Sequence, residues 1–288
     1  MIETKPETKE SINPGNIEWE AINQATREIH KAVQWIGRIE NAYNIGNSYD
    51  GPPRMHWDSQ EAYFYGNGIP KKGIKIGFRP EEFRWLLLEK EGAIIDTLSG
   101  LGKSDEVVWA WLQRNLIQRG LPTDNLDYEV QYSLPYNHGI TSTYSVRDKQ
   151  TLSLFSQLRS MSIRMIKAAL LFSRPQTMRE DIYTWLHNFD SCSNVHLYQK
   201  DEKKNIGVGM ASPDGSTGEY YLYVRNWAKQ AVFNSSALPG LPSGGYWLSK
   251  DGWNGAVLSF SKLEENNDLQ LDKGVLFLIG AIETLVDF

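Results

Sequence analysis

The densest set of reactive side chains is the segment His187-Asn188-Phe189-Asp190-Ser191-Cys192-Ser193-Asn194-Val195-His196, with two imidazoles, a carboxylate and a thiol in ten residues. An imidazole titrates near neutrality and can take or give a proton, provided a neighbour fixes its orientation. His187 is therefore the candidate acid/base group and Asp190 its orienting partner. Two strands, Ile182–Phe189 and Asn194–Gln199, would pair as a hairpin and bring His187 near His196. No metal is assigned, because H-x2-D-x5-H is not a recognised ligand spacing. Cys192 has no adjacent Lys or Arg to stabilise a thiolate and reads as unreactive. Asp190, Ser191, Ser193 and Asn194 are also ordinary turn formers, so a purely structural role stays open.

A second cluster is aromatic. Tyr220, Tyr221, Tyr223 and Trp227 precede a long irregular stretch, Asn226 to Gly245, and Tyr246, Trp247 and Trp253 follow it. Strand alternation puts Tyr221 and Tyr223 on one face and Tyr220 on the other. His196, Tyr223, Trp247 and Trp253 are the candidate ligand-binding residues, lining an aromatic pocket that the loop would close. The alternative is a sheet face simply covered by that loop. His30, His56 and His138, with Asp50, Asp58 and Glu61, read as helix-edge or loop residues. Phosphate-loop, dinucleotide-loop, G-x-S-x-G and H-E-x-x-H motifs are missing, so no cofactor is assigned.

These residues need elements to hold them. Residues 1–16 are polar and read as a flexible leader. Ile22, Ala25, Ile29, Val33 and Ile36 recur at helical spacing within a helix over 17–43. After a Gly/Asn/Pro-rich loop to Arg54, short β-prone runs at 62–65, 74–78, 83–88 and 93–98 predict an antiparallel meander. Ser104 opens a helix that stops at Gly120. Ser145 and Asp148 form a capping pattern ahead of a long helix buried along Leu154, Leu158, Met161, Met165, Ala169 and Phe172. Strands follow at 182–189, 194–199, 206–210, 219–225, 246–250 and 256–260, and a helix closes the chain at 271–288. The class is α+β, with antiparallel sheet packed against long helices. The organisation is a leader (1–16), a helix–meander–helix portion (17–140) and an α+β portion (141–288), and the two portions can share one domain.

Composition bounds the function. Hydrophobic residues make up 41% and charged residues 23% of 288, which suits a globular chain with a large core. A net charge of −5 disfavours nucleic acid, which demands clustered Lys and Arg. Lys203 and Lys204 form only a small basic cluster. One cysteine suits a reducing compartment, and no apolar run is long enough for a membrane span, so a soluble cytoplasmic protein is expected. Ten tryptophans are the unusual feature.

Trp185-Leu186-His187-Asn188-Phe189-Asp190, then Ile206-Gly207-Val208-Gly209, Ser212-Pro213-Asp214-Gly215, Tyr221-Leu222-Tyr223-Val224, Gly245-Tyr246-Trp247 and Gly252-Trp253-Asn254-Gly255-Ala256-Val257-Leu258, resemble an uncharacterised bacterial protein family over roughly 183–260. In that family the first motif is closer to W-P-H-H-F-D, and the Gly-x-Trp motif carries further histidines. Leu186, Asn188, Tyr246 and Leu248 stand at the compared positions here, so a histidine-rich site would be depleted. The resemblance implies no activity. The sequence thus supports a small-molecule-binding protein or an enzyme with an aromatic/His pocket in the C-terminal half. Its alternative is a non-enzymatic interaction module with exposed aromatics. A concave pocket favours the first and a flat aromatic patch the second. Neither reading fixes an oligomeric state.

Overall fold

The computed structural model describes residues 12, 17–43, 53–70, 72–130, 132–135, 143–146, 148–173, 181–199, 202–214, 217–227, 234–263 and 267–287. The leader apart from Ile12, Asp50, His138 and the middle of the long loop (228–233) lie outside the described residues.

Helix α1 (Trp19–Ala42) buries the expected stripe of Ile22, Ala25, Ile29, Val33 and Ile36. Five strands follow: β1 (Arg54–Asp58), β2 (Tyr63–Tyr65), β3 (Ile74–Arg79), β4 (Arg84–Glu89) and β5 (Ile94–Ser99). Helix α2 (Asp105–Ile117) ends where Gly120 takes φ +67°, and the Leu121 N–H reaches back to the Leu116 carbonyl at 3.0 Å. Helix α3 (Lys149–Phe172) is capped by Asp148, which accepts from the Thr151 N–H. The cap is thus Asp148 rather than Ser145. Six strands, β6 (Tyr183–Trp185), β7 (Ser191–Gln199), β8 (Glu202–Ala211), β9 (Tyr221–Asn226), β10 (Tyr246–Lys250) and β11 (Trp253–Ser259), precede helix α4 (Asn267–Asp287).

All eleven strands form one antiparallel sheet in the order β10-β11-β9-β8-β7-β6-β1-β2-β3-β4-β5, so the class is α+β. The two meanders join through a short β1–β6 ladder, with Arg54 opposite Trp185 and Met55 opposite Thr184. Strand β1 begins at Arg54, where the Gly/Asn/Pro-rich loop expected from sequence ends, and has no strand counterpart in the sequence reading. One cluster of buried side chains runs from Ile29 and Trp85 to Leu222 and Phe277, so the portions on either side of residue 140 share a core. Helices α1, α3 and α4 pack on one face of the sheet. No helix among the described residues is long and apolar enough to cross a membrane.

The other face of β6–β11 has a different character. Alternation sends Leu222 and Val224 into the helix-covered core and Tyr221, Tyr223 and Arg225 to the opposite side. Tyr220 is buried against α1, where its hydroxyl meets Thr26 Oγ1. Opposite Tyr223 and Arg225 on β8 stand Gly209 and Gly207, and opposite Arg225 on β11 stands Gly255. A Cβ on Gly209 would come within 2.7 Å of the Tyr223 ring, and one on Gly255 within 3.0 Å of the Trp253 indole. The glycines therefore let aromatic rings lie down on the sheet.

Candidate functional site

A cleft of about 1010 Å³ opens over this glycine-floored face and wraps round the strand ends towards the N-terminal half of α1. Its floor comes from β6–β9 and β11, its rim from the β6–β7 turn and the segment after β8, and its far wall from Asn23, Thr26, Arg27 and His30.

The β6–β7 turn is built from both sides of the sheet. It spans Leu186–Phe189, four residues earlier than the turn expected at Asp190–Ser193, with the Phe189 N–H bonded to the Trp185 carbonyl at 3.0 Å. Leu186 and Phe189 point into the core. The Leu186 carbonyl meets His30 Nε2 at 2.7 Å and accepts from Gln34 Nε2 at 2.9 Å, and Phe189 stacks on His30. Phe189 takes φ +65°, a left-handed conformation costly for a bulky residue and held here by that packing. Beneath it the fully buried Arg159 donates to the Phe189 carbonyl and to Ser191 Oγ, and lies 4.5 Å from the Phe189 ring centroid. His187 and Asn188 are left facing the cleft.

Five of the six expected site residues, His187, Asp190, His196, Tyr223 and Trp253, line this one cleft. Trp247 does not. It pairs with Ala256 on the helix-covered face, packs on the core and donates to the Pro239 carbonyl at 2.8 Å. The described part of the long loop, 234–245, shares that face: Ser243 Oγ donates to the Lys273 carbonyl on α4, and Pro242 lies against Gly280. It packs beside α4 and does not close the cleft.

The expected pairings also change. His196 stands opposite Asn205, whose Oδ1 is 2.9 Å from its Nδ1, while His187 lies back in the turn. Five residues of β7, Ser191 to Val195, lie between the turn region and His196 at roughly 3.3 Å each, so the two histidines are held well apart along the cleft. Asp190 does not orient His187. Its Oδ2 accepts from the Tyr223 hydroxyl at 2.5 Å, and Asn188 also bonds to it. Asp190 Oδ1 and His187 Nδ1 are buried, with no hydrogen-bond partner among the described residues. Burial pushes the Asp190 carboxyl up, against the opposing pull of the Tyr223 bond, and pushes the His187 imidazole down, which keeps that ring neutral. Tyr223 is raised well above its ordinary range by burial and by Asp190, so its hydroxyl stays protonated and can donate to that carboxylate.

Burial likewise pushes the Cys192 thiol up to about 12, which suits an inert floor residue packed with Tyr183, Trp185 and Tyr223. No group of three or more His, Cys, Asp or Glu side chains among the described residues could hold a metal ion.

Two cations in the cleft, Arg54 and Arg225, carry no site signal in the sequence reading, and each lies against aromatic rings. Trp185 and Tyr183 flank Arg54, whose guanidinium carbon lies 4.0 Å from the Tyr183 ring centroid and 4.4 Å from that of Trp185. Arg225 lies 3.8 Å above Trp227. Arg225 shares the alternation of Tyr221 and Tyr223, so the same period-two reading contains it. Arg54 has no such signal, because the sequence reading places it at the end of a loop. Comparison with family models, with curated proteins and with solved structures finds no match to this chain.

Proposed function

We propose that the protein binds a small organic molecule in the cleft over β6–β11. The supporting observation is concavity: His187, Asp190, His196, Tyr223 and Trp253 all border one cavity of about 1010 Å³, which is the size of ordinary ligand sites. A flat aromatic patch, which would favour an interaction module, is not what these rings form. Tyr223 and Trp253, which both line the cleft, meet edge to face at 6.4 Å.

Within that reading, Tyr223 and Asp190 act as a donor–acceptor pair with one carboxyl oxygen to spare, and neutral His187 supplies a ring nitrogen at the rim. The test is a ligand library read by thermal shift on the full chain. Compounds that bind should raise the melting temperature by mass action and lose that shift in Trp253→Ala and Tyr223→Phe. If hits keep their full shift in both variants, they bind elsewhere and the reading is wrong.

A further inference from the structure

Charge is distributed unevenly in the cleft, and Arg225 is where the imbalance is sharpest. On β9 it stands between Gly207 of β8 and Gly255 of β11. A Cβ on Gly207 would lie 2.9 Å from Trp227 Nε1, and one on Gly255 would lie 3.0 Å from the Trp253 ring. The two indoles thus occupy the space that neighbouring side chains would fill, and the Arg225 guanidinium carbon lies 3.8 Å from the Trp227 ring centroid. Arg225 has no carboxylate partner among the described residues, and its Nε is buried without a hydrogen bond. Burial lowers its pKa, against the opposing pull of Tyr223, Asp190 and Tyr221.

The acids that line the same cleft each accept from a tyrosine, and Asp190 keeps its second oxygen without a partner. Asp214 Oδ2 accepts from the Tyr221 hydroxyl at 2.5 Å, and Asp190 accepts from Tyr223. Arg27, at the rim, is paired with Glu20 at 3.3 Å. A planar guanidinium with unused donors is suited to the two coplanar oxygens of an acidic group, and the surrounding rings are suited to a flat apolar body.

We propose that the cleft takes a flat-ringed organic anion, with a carboxylate or phosphate on Arg225 and the ring against Tyr223 and Trp253. This rests on the ligand-binding reading above. The test uses four naphthalene probes of one shape on the full chain: naphthoate, naphthyl phosphate, the neutral naphthalenemethanol and the cationic naphthylmethylammonium. Dissociation constants come from quenching of tryptophan fluorescence and melting temperatures from thermal shift. The two anions should bind at least about tenfold more tightly than the alcohol, with the cation weakest, as a charge-assisted hydrogen bond implies. Whichever anion binds tighter identifies the acidic group. Arg225→Met keeps the apolar stem and should erase the anion preference while leaving the alcohol's affinity in place. The wild-type charge series decides the matter even if that variant fails to fold.

Equal affinity of naphthoate and naphthalenemethanol would overturn the anion assignment and leave the cleft standing as an uncharged-ligand site. Unchanged naphthoate affinity in a folded Arg225→Met chain would also overturn it. Absence of binding by all four probes would remove both this inference and the cleft reading beneath it.

Discussion

Two of the tyrosine–aspartate pairs, Tyr144–Asp105 and Tyr223–Asp190, differ in what surrounds them. At the N-terminal side, the Tyr144 hydroxyl donates to Asp105 Oδ1, which also accepts from Trp35 Nε1 at 2.8 Å. Trp85, Phe83 and Trp35 close over that pair, and all three are fully buried. On the C-terminal side, Tyr223 donates to Asp190 Oδ2 at 2.5 Å, but Oδ1 is left without a partner and both residues border a cavity. The chemical groups are the same and the bonds are similar. Saturation of the acceptor and the presence of adjacent empty space separate a structural pair from one that can take a ligand.

The comparison breaks first on stability. Asp105→Ala removes the acceptor shared by the Trp35 indole N–H and the Tyr144 hydroxyl in a sealed core, leaving them only their mutual bond at 3.3 Å, and should cost about 3–5 kcal/mol in urea unfolding. Asp190→Ala removes the acceptor of the Tyr223 hydroxyl and of Asn188, beside a cavity that water can enter, and should cost about 1 kcal/mol. Equal losses would show that the two pairs are equally structural.

A third carboxyl sharpens the rule by its pH dependence. Glu40 on α1 is buried, with Oε1 accepting from the Asn67 backbone N–H at 2.7 Å and Oε2 from Asn67 Nδ2 at 2.9 Å. Burial outweighs those bonds and raises its pKa from 4.5 to about 7. Between those values the folded chain holds a proton that the unfolded chain has released. The contribution is therefore complete below pH 4.5 and is lost as pH rises through about 7, a change of about 3 kcal/mol. Glu40→Gln should flatten that slope in denaturation curves taken across the interval. A slope that survives the substitution must arise from another group.

Much of this arrangement was legible as periodicity. The helical stripe of α1, the runs that became β3–β5 and the alternation that puts Tyr221 and Tyr223 opposite Tyr220 all follow from local side-chain spacing. Features set by distant contacts were not. Strand β1, Arg-Met-His-Trp-Asp, follows Gly51-Pro52-Pro53 and exists because β6 and β2 flank it. The β6–β7 turn contains no Gly or Pro, and Asp190-Ser191-Cys192-Ser193-Asn194 reads more like a turn by residue type. Contacts from His30, Gln34 and Arg159, far away in sequence, place the bend at Leu186–Phe189 instead. That shift turned Asp190 towards Tyr223, and a partner on another strand cannot be read from a list of neighbours. Trp247 failed for a simpler reason. Its place in the β10–β11 ladder, opposite Ala256, puts it on the core face, which proximity to Trp253 in sequence does not reveal.

The floor under the open pair offers a further test. Gly209→Ala would bring a Cβ within 2.5 Å of the Ser191 carbonyl and 2.7 Å of the Tyr223 ring, so something must move. Overpacking of this kind should cost about 1–3 kcal/mol. The displaced ring would also lose Asp190, so ligand-induced thermal shifts should fall further than stability alone explains. A variant that loses stability but keeps the shifts would show that Tyr223 does not touch the ligand.

The smallest effect concerns Cys192, which underlies Tyr223 in the same floor. Its thiol is 3% exposed and pushed up to about 12, so almost none is thiolate at neutral pH. A disulfide reagent should label native Cys192 at least about a thousandfold more slowly than the unfolded chain, since reaction needs both thiolate and access. Cys192→Ala removes only a small buried group and should cost about 1 kcal/mol or less. Rapid native labelling would mean that the floor opens to solvent, and the contrast between a sealed Asp105 and an open but ordered Asp190 would then need the open side redrawn as a mobile one.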